Sequence, residues 1–370
     1  MRDERGRSPR PSGSEPGGSP SATTGGYDAS SIEVLTGLEA VRKRPVMYVG
    51  DVSSPTAVAE WVWHAVETTL QLHLERSARS VSLSVDPTGW VEVADDGPGI
   101  SAIPGVHRTT PLEIVSSALH VGRARPQWWP GRIPWACMNA LSSRFEVESH
   151  HEGRLARIAY ERGHLVDPAA IVGSTARSGV RLRFRADPAI FRFPTVDLAH
   201  LESRLRDLAW LAPLLRVVWQ GETLPGVGGL PALVSRGGAK GVVHTTRVSE
   251  RHQIDLALSW ADPDAPPSEW SFRAFAREES GLALAGVWDG LLAIARHVQP
   301  ALGEGVLREL LSPGLRVAIH ANREPDWQSR SGPSAERRLI ARLTRDLLCY
   351  RGRPSHPELR RRLETVSAER

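Results

Sequence analysis

The chain has 370 residues, of which 41% are hydrophobic and 24% charged, with a formal net charge of +4. That length buries a large core, divided between two domains, in a soluble globular protein. Two cysteines, Cys137 and Cys349, are too few for a disulfide framework or a structural zinc site; no apolar run spans a bilayer and no signal-peptide core opens the chain, so a cytoplasmic protein with no membrane partner is expected. The small basic excess is compatible with an acidic partner such as DNA.

Residues 1–26 are Ser, Gly, Pro and Arg with almost no apolar side chains. Such a segment cannot offset its ordering entropy, and a disordered tail is expected. Globular sequence starts near Tyr27. Thr56–Leu74, rich in Val, Trp, Ala and Leu, reads as a helix. Ser80–Val85 and Trp90–Ala94 read as a hairpin around Asp86-Pro-Thr-Gly89. Leu112–Leu119 reads as helix, His120–Ile133 as an aperiodic loop of Gly, Pro, Arg and Trp, and Pro134–Leu141 as helix. Strands follow at Arg144–Ser149, Leu155–Tyr160 and Gly179–Arg185, then an amphipathic helix at Leu198–Ala209. After Pro213, strands are predicted at Leu215–Trp219, Val242–Val248, Gln253–Trp260 and Leu315–Ala321. Helices are predicted at Ser280–Val298 and Ala335–Tyr350. Arg351–Arg370 is basic, carries two prolines and is expected to be mobile. Strands and helices mix in both parts, which favours an α+β or layered α/β architecture.

Val91-Glu-Val-Ala-Asp-Asp-Gly-Pro-Gly-Ile100 is the most informative stretch. A β-branched strand delivers paired carboxylates to a site edge, and two close glycines follow where a ligand can approach the backbone. An ordinary acidic turn has the same pattern. Ser30-Ser-Ile-Glu-Val-Leu-Thr-Gly-Leu-Glu-Ala-Val-Arg-Lys-Arg-Pro-Val-Met-Tyr-Val-Gly-Asp51 resembles the opening of bacterial DNA gyrase B and its topoisomerase IV relative. Asp95-Asp-Gly-Pro-Gly-Ile100 resembles the first glycine box of these GHKL ATPases, and Asn139-Ala-Leu-Ser142 the helix after their second. Ile158-Ala-Tyr-Glu-Arg-Gly163, Ser178-Gly-Val-Arg-Leu-Arg-Phe184 and Arg204-Leu-Arg-Asp-Leu-Ala-Trp-Leu211 follow in the family's order. The resemblance covers residues 27 to about 350, more faintly in the second half.

The resemblance implies an α+β chain. A Bergerat-type α/β sandwich with its N-terminal arm would occupy residues 27–212. A ribosomal-S5-domain-2-like transducer would occupy 213–350, with a basic tail at 351–370. It implies ATP between helices and a mixed sheet, and a homodimer in which the arm reaches its partner. It also implies DNA or a separate gyrase-type cleavage protein as a further partner, because no acidic metal-binding cleavage domain is recognised. Asp95 matches the carboxylate that reads the adenine amino group, and Gly97 and Gly99 match the close-approach glycines. Arg157 matches an arginine near the base, Tyr27 the tyrosine of the exchanged arm, and Gly179 a glycine of the family motif, while Val180 replaces the threonine that assists adenine contact.

Hydrolysis in this family needs a carboxylate base, a magnesium-holding amide, a glycine-rich lid and a transducer lysine. Counting back from Asp95 places His64 at the base position and Thr68 at the amide position, with Glu67 between them. An imidazole can accept a proton, and a polar residue on a partly buried helix looks the same in sequence. Thr68 offers one neutral oxygen, so magnesium is doubtful. In the lid, Arg132 and Pro134 fall on glycine positions, and proline lacks the N–H that a phosphate would take. Arg123, Arg125 and Arg132 could bind phosphate by charge, or Trp128, Trp129 and Trp135 could pack over a vacated pocket. In the transducer loop Pro325–Ser334, Arg330, Ser331 and Gly332 take the places of the Gln-Thr-Lys motif. Hydrolysis is therefore expected to be absent or very slow. The alternatives are a gyrase-B-like ATPase module with impaired turnover, and a non-catalytic paralogue that dimerises or binds DNA or gyrase partners. Arg360-Arg-Arg362 is the candidate DNA contact.

Overall fold

The computed structural model of the protein describes residues 37–368, apart from 106–107, 120–133, 237, 249–251, 274, 279–280, 324 and 351–352, and without the side chains of 240, 252, 323, 325–333, 350 and 365–368. The expected tail at 1–26, Tyr27, the start of the gyrase-like opening segment and the lid residues Arg123, Arg125, Trp128, Trp129 and Arg132 lie outside the described residues. In chain order the elements are α1 (Leu38–Lys43), α2 (Val46–Val49), α3 (Ala57–Leu74), β1 (Ser80–Val85), β2 (Trp90–Asp95), α4 (Pro111–Ser117), α5 (Trp135–Leu141), β3 (Ser142–His151), β4 (Arg154–Glu161), β5 (His164–Ser174), β6 (Gly179–Ala186), α6 (Leu198–Leu211), β7 (Arg216–Trp219) and β8 (Glu222–Thr223). There follow α7 (Gly229–Ser235), β9 (Lys240–Val248), β10 (His252–Trp260), β11 (Ser268–Arg273), β12 (Ala276–Arg277), α8 (Leu282–Val298), α9 (Glu304–Leu311), β13 (Leu315–Arg323), α10 (Pro325–Leu348), β14 (Cys349–Tyr350), β15 (Arg353–Pro354) and α11 (Pro357–Ala368).

Among the described residues, eight strands form one sheet in the order β5-β4-β3-β6-β2-β1-β7-β8, and five form a second in the order β12-β11-β13-β10-β9. The β1–β2 hairpin predicted around Asp86–Gly89 is present, with Val85 opposite Val91. The first sheet buries one face against helices because its strands alternate: Val91 and Val93, Leu182 and Phe184, Phe145 and Val147 all point inward. α3 lies on that face. It is apolar nearly all round, as a core helix should be, and fully buries Trp61 and Trp63. The Trp61 ring meets Phe184 edge-on, with centroids 4.9 Å apart, which contributes about 0.5–1.5 kcal/mol beyond area burial. Side-chain caps start two helices. Thr110 accepts from the Glu113 N–H ahead of α4, with Pro111 at its first position, and Asp197 accepts from the His200 N–H ahead of α6. A second apolar core joins β10 and β13 to α8, α9, α10 and α11.

Two expectations are corrected. Pro325–Ser334 is helical and continues into α10; proline is suited to a first helical position, where no N–H is required. The C-terminal stretch is an ordered helix, α11, because Leu359 and Leu363, one turn apart, are fully buried in the second core. Its arginines are engaged: Arg361 and Arg362 pair with Glu358, and Arg360 donates to the Pro354 carbonyl. Elements not expected from sequence are α1, α2, β5, β8, α7, β11, β12, α9 and the short β14–β15 pair. β5 is exposed over nearly its whole length and carries Pro168, a residue that only an edge strand tolerates.

Candidate functional site

β2 alternates, so Asp95 follows Val91 and Val93 onto the inner face of the sheet, toward α3. Its Oδ1 accepts from the Gly97 N–H at 2.8 Å and the Val180 N–H at 3.3 Å, and Thr69 on α3 reaches Oδ2 at 3.5 Å. Burial pushes the Asp95 carboxyl above its ordinary range, the neighbouring Asp96 adds to this, and the two N–H groups oppose it. Asp96 instead faces out and accepts the Arg79 and Ser80 N–H groups, which fixes the start of β1.

The glycines of this loop serve close backbone packing. At Gly99, φ is +70° and a Cβ would stand 2.2 Å from the His150 carbonyl oxygen; at Gly179, φ is +123° and a Cβ would stand 2.0 Å from the Asp95 carbonyl oxygen. A Cβ on Gly97 would meet the Leu72 side chain of α3 at 2.9 Å. Ser149 Oγ accepts from the Ile100 N–H and donates to its carbonyl, and Ser178 donates to the Gly97 carbonyl. The protein itself thus makes a close approach at each glycine: β3 at Gly99, the end of β2 at Gly179 and the Leu72 side chain at Gly97.

Earlier in α3, His64 Nδ1 lies 2.8 Å from Glu67 Oε2, and Glu67 is only 4% exposed. With Nδ1 donating to the carboxylate, Nε2 is left as the proton acceptor. Thr68 Oγ1 sits against the His64 carbonyl and accepts from the Trp135 indole N–H at 3.3 Å. Trp135 opens α5 and is 7% exposed within the first core. The residue before it, Pro134, offers no N–H at this helix start. Glu60, one turn before His64, holds His200 at 2.7 Å and Arg204 across to α6, and Arg204 lies 4.0 Å from the Trp63 ring centroid. Burial lowers the Arg204 pKa, against the charge of Glu60.

The structure brings Asp95, Gly97, Gly99 and Gly179 together in one loop cluster, with Thr68 and His64 on the helix beside it. It does not bring Arg157 there. Arg157 stands opposite Glu148 in the β3–β4 ladder, flanked by buried Ala156 and Ile158. It is therefore on the outer face, the face opposite Asp95, where its guanidinium pairs with Glu148. Asn139 is buried and donates to the Ser116 carbonyl. Arg330 lies in α10, its side chain outside the described residues. The Trp135–Thr68 contact was not specified by sequence; its signal was a tryptophan immediately after a proline at a glycine position. Among the described residues no group of three or more His, Cys, Asp or Glu is placed to hold a metal ion, and no helix is long and apolar enough to cross a membrane.

No protein-family model matches the chain. Over 201 residues, 52% of its length, it is 34% identical to the DNA gyrase B protein of Thermotoga maritima, of which this covers 31%. Over 195 residues it is 35% identical to that of Enterococcus faecalis, covering 50% of the chain and 30% of the relative. The chain thus spans less than a third of these curated relatives. Among solved structures, the B-subunit of the DNA gyrase from Myxococcus xanthus superposes with a TM-score of 0.67 at 24% identity, over 88% of this chain and 99% of that one. The 43K ATPase domain of Thermus thermophilus gyrase B, in complex with an aminocoumarin, gives 0.65 at 19% identity, over 90% and 96%. These structural likenesses show the fold, and the sequence relatives show descent over about half of the chain. The expected α+β architecture is that of the gyrase B 43K ATPase structures, and the chain is a GHKL-type homologue of the N-terminal ATPase region of DNA gyrase B.

Proposed function

We propose that this chain is a gyrase-B-like module of the type II topoisomerase family that does not turn over ATP, or does so very slowly. The carrying observation is the Trp135 indole donating to Thr68, at the place where the family holds magnesium. An indole and one neutral hydroxyl do not make a shell for a hard cation, which takes oxygen ligands and keeps several waters. Magnesium and the triphosphate it bridges therefore do not fit the described residues, and no hydrolytic step is derived through them. His64, oriented by Glu67, retains a base-like arrangement, but a base without charge stabilisation of the transferring group supplies only a small part of the rate.

Adenine contact fits better. Among the described residues Asp95 Oδ2 has only the long Thr69 contact, leaving capacity for one donor. Nucleotide binding, where it occurs, centres on Asp95 with Gly97, Gly99 and Gly179 shaping the loop. The rest of the reading follows the resemblance. Two copies pair through the arm that includes Tyr27, a gyrase-type cleavage protein or DNA is the partner, and the protein is cytoplasmic. The boundary near 212 rests on the resemblance alone, because the first apolar core continues past it to Leu215–Val234, Phe272 and Ala318. Calorimetry with ADP tests the binding part: an affinity at least tenfold weaker in Asp95→Ala is expected, and an unchanged affinity refutes the placement.

A further inference from the structure

A cavity of about 280 Å3 lies away from Asp95, where α6 meets α7 and the β11–β13 side of the second sheet. Four arginines line it, Arg206, Arg236, Arg277 and Arg316, against a single carboxylate, Asp207. Two of the arginines are engaged: Arg277 holds Asp207 through two bonds of 2.8 and 3.1 Å, and Arg206 pairs with Glu202 along α6. The other two make no side-chain hydrogen bond or ion pair among the described residues. Each instead lies over an indole that also lines the cavity: Arg236 is 5.5 Å from the Trp210 centroid and Arg316 is 5.4 Å from the Trp270 centroid. The Nε of Arg316 is buried with no hydrogen-bond partner. A buried guanidinium N–H left without an acceptor is costly and rare in folded proteins.

We propose that this junction cavity binds a small phosphomonoester carrying a planar ring, of the nucleoside monophosphate class. Two unengaged guanidinium forks match a doubly charged phosphate. The two indoles offer flat apolar surface for a ring, and base–aromatic stacking is tolerant of base identity. The volume of about 280 Å3 lies just below the ~300–1,000 Å3 typical of ligand pockets, which favours a small ligand over a nucleoside triphosphate with its metal. The ligand spans α6, which packs on the first sheet, and β13, in the centre of the second. It therefore ties the two halves of the chain together beside the Asp207–Arg277 ion pair. This site is separate from the Asp95 cluster and does not rest on the reading given above.

The test is titration of the full chain with AMP, ribose 5-phosphate and inorganic phosphate at low salt, followed by calorimetry and by tryptophan fluorescence. AMP is expected to bind and to change the fluorescence. Arg236→Gln and Arg316→Gln are each expected to weaken it at least tenfold, while Arg183→Gln on the outer face of the first sheet leaves it unchanged. Trp210→Phe and Trp270→Phe should remove the fluorescence change. Should Arg316→Gln fail to fold, Arg236→Gln carries the test, because Arg236 is exposed. No AMP binding by the full chain overturns the assignment, as does AMP binding insensitive to both arginine variants, which would place it elsewhere, at Asp95 for example. Ribose 5-phosphate binding as tightly as AMP overturns the planar-ring part.

Discussion

Replacing Trp135 tests the packing on which the proposed loss of turnover rests. The side chain is 7% exposed and belongs to the first core, so Trp135→Ala is expected to cost about 3–5 kcal/mol, the usual range for a buried aromatic truncated to alanine. Trp135→Phe keeps a six-membered ring but removes three heavy atoms of the indole, its N–H among them. That N–H reaches Thr68 at 3.3 Å, a long bond, so the lost hydrogen bond is expected to cost ~0.5–1.5 kcal/mol, with the packing lost from the smaller ring added to it. Trp135→Phe should therefore cost less than Trp135→Ala. A double-mutant cycle of Trp135→Phe with Thr68→Val isolates the hydrogen bond, and a coupling of about 0.5–1 kcal/mol is expected. Urea unfolding at neutral pH, followed by circular dichroism, measures all four proteins. A cost below about 1 kcal/mol for Trp135→Ala, or zero coupling in the cycle, would refute the idea that this tryptophan fills the space beside Thr68.

Three further outcomes are expected. Burial raises the Asp95 pKa, so the stability this group contributes is fully present below the unfolded carboxylate value near 3.8 and is lost as pH rises through its folded value. Asp95→Asn, whose amide oxygen still accepts from Gly97, should raise the urea midpoint at pH 7 more than at pH 4.5; a midpoint lowered at pH 7 would show that the N–H groups favour the charged form. Burial lowers His320 from 6.5 to about 4, with Arg273 adding to the effect against Asp255 and Asn322. Its contribution is present above pH 6.5 and disappears as pH falls toward 4, up to roughly 3 kcal/mol at about 1.4 kcal/mol per pH unit. His320→Leu should flatten the stability profile across that window, and an unchanged slope would place the titration elsewhere. Leu363→Ala in α11 should cost about 2–5 kcal/mol, whereas a mobile tail would give no measurable change.

The parts of the fold legible in sequence were those with a clear period or a distinctive motif. α3, the β1–β2 hairpin and α6 lie within a residue or two of their predicted bounds, because each buries one face or, for α3, nearly all of itself. β5 gave no signal because an exposed edge strand needs no apolar alternation. α11 was hidden by Arg360–Arg362, a charge run that drew attention from the buried pair Leu359 and Leu363. In the site, Asp95 and its glycines were legible as a strand end and tight loop. What sequence did not convey was who approaches those glycines, since backbone from β3 at Gly99 and from the end of β2 at Gly179 meets the same steric requirement as a phosphate. Arg157 was matched by motif position, yet its alternation with buried Ala156 and Ile158 already assigned it to the outer face. The junction cavity draws its residues from positions 203 to 316 and became visible only once α6 and the second sheet were placed together.

The most direct measurement is steady-state phosphate release from ATP and magnesium by the purified full chain, beside the corresponding N-terminal fragment of Thermotoga maritima gyrase B. Release at the no-enzyme background, unchanged in His64→Ala, is the expected result. A rate comparable to that of the fragment, abolished by His64→Ala, would contradict the proposal that this fold has lost its hydrolytic chemistry.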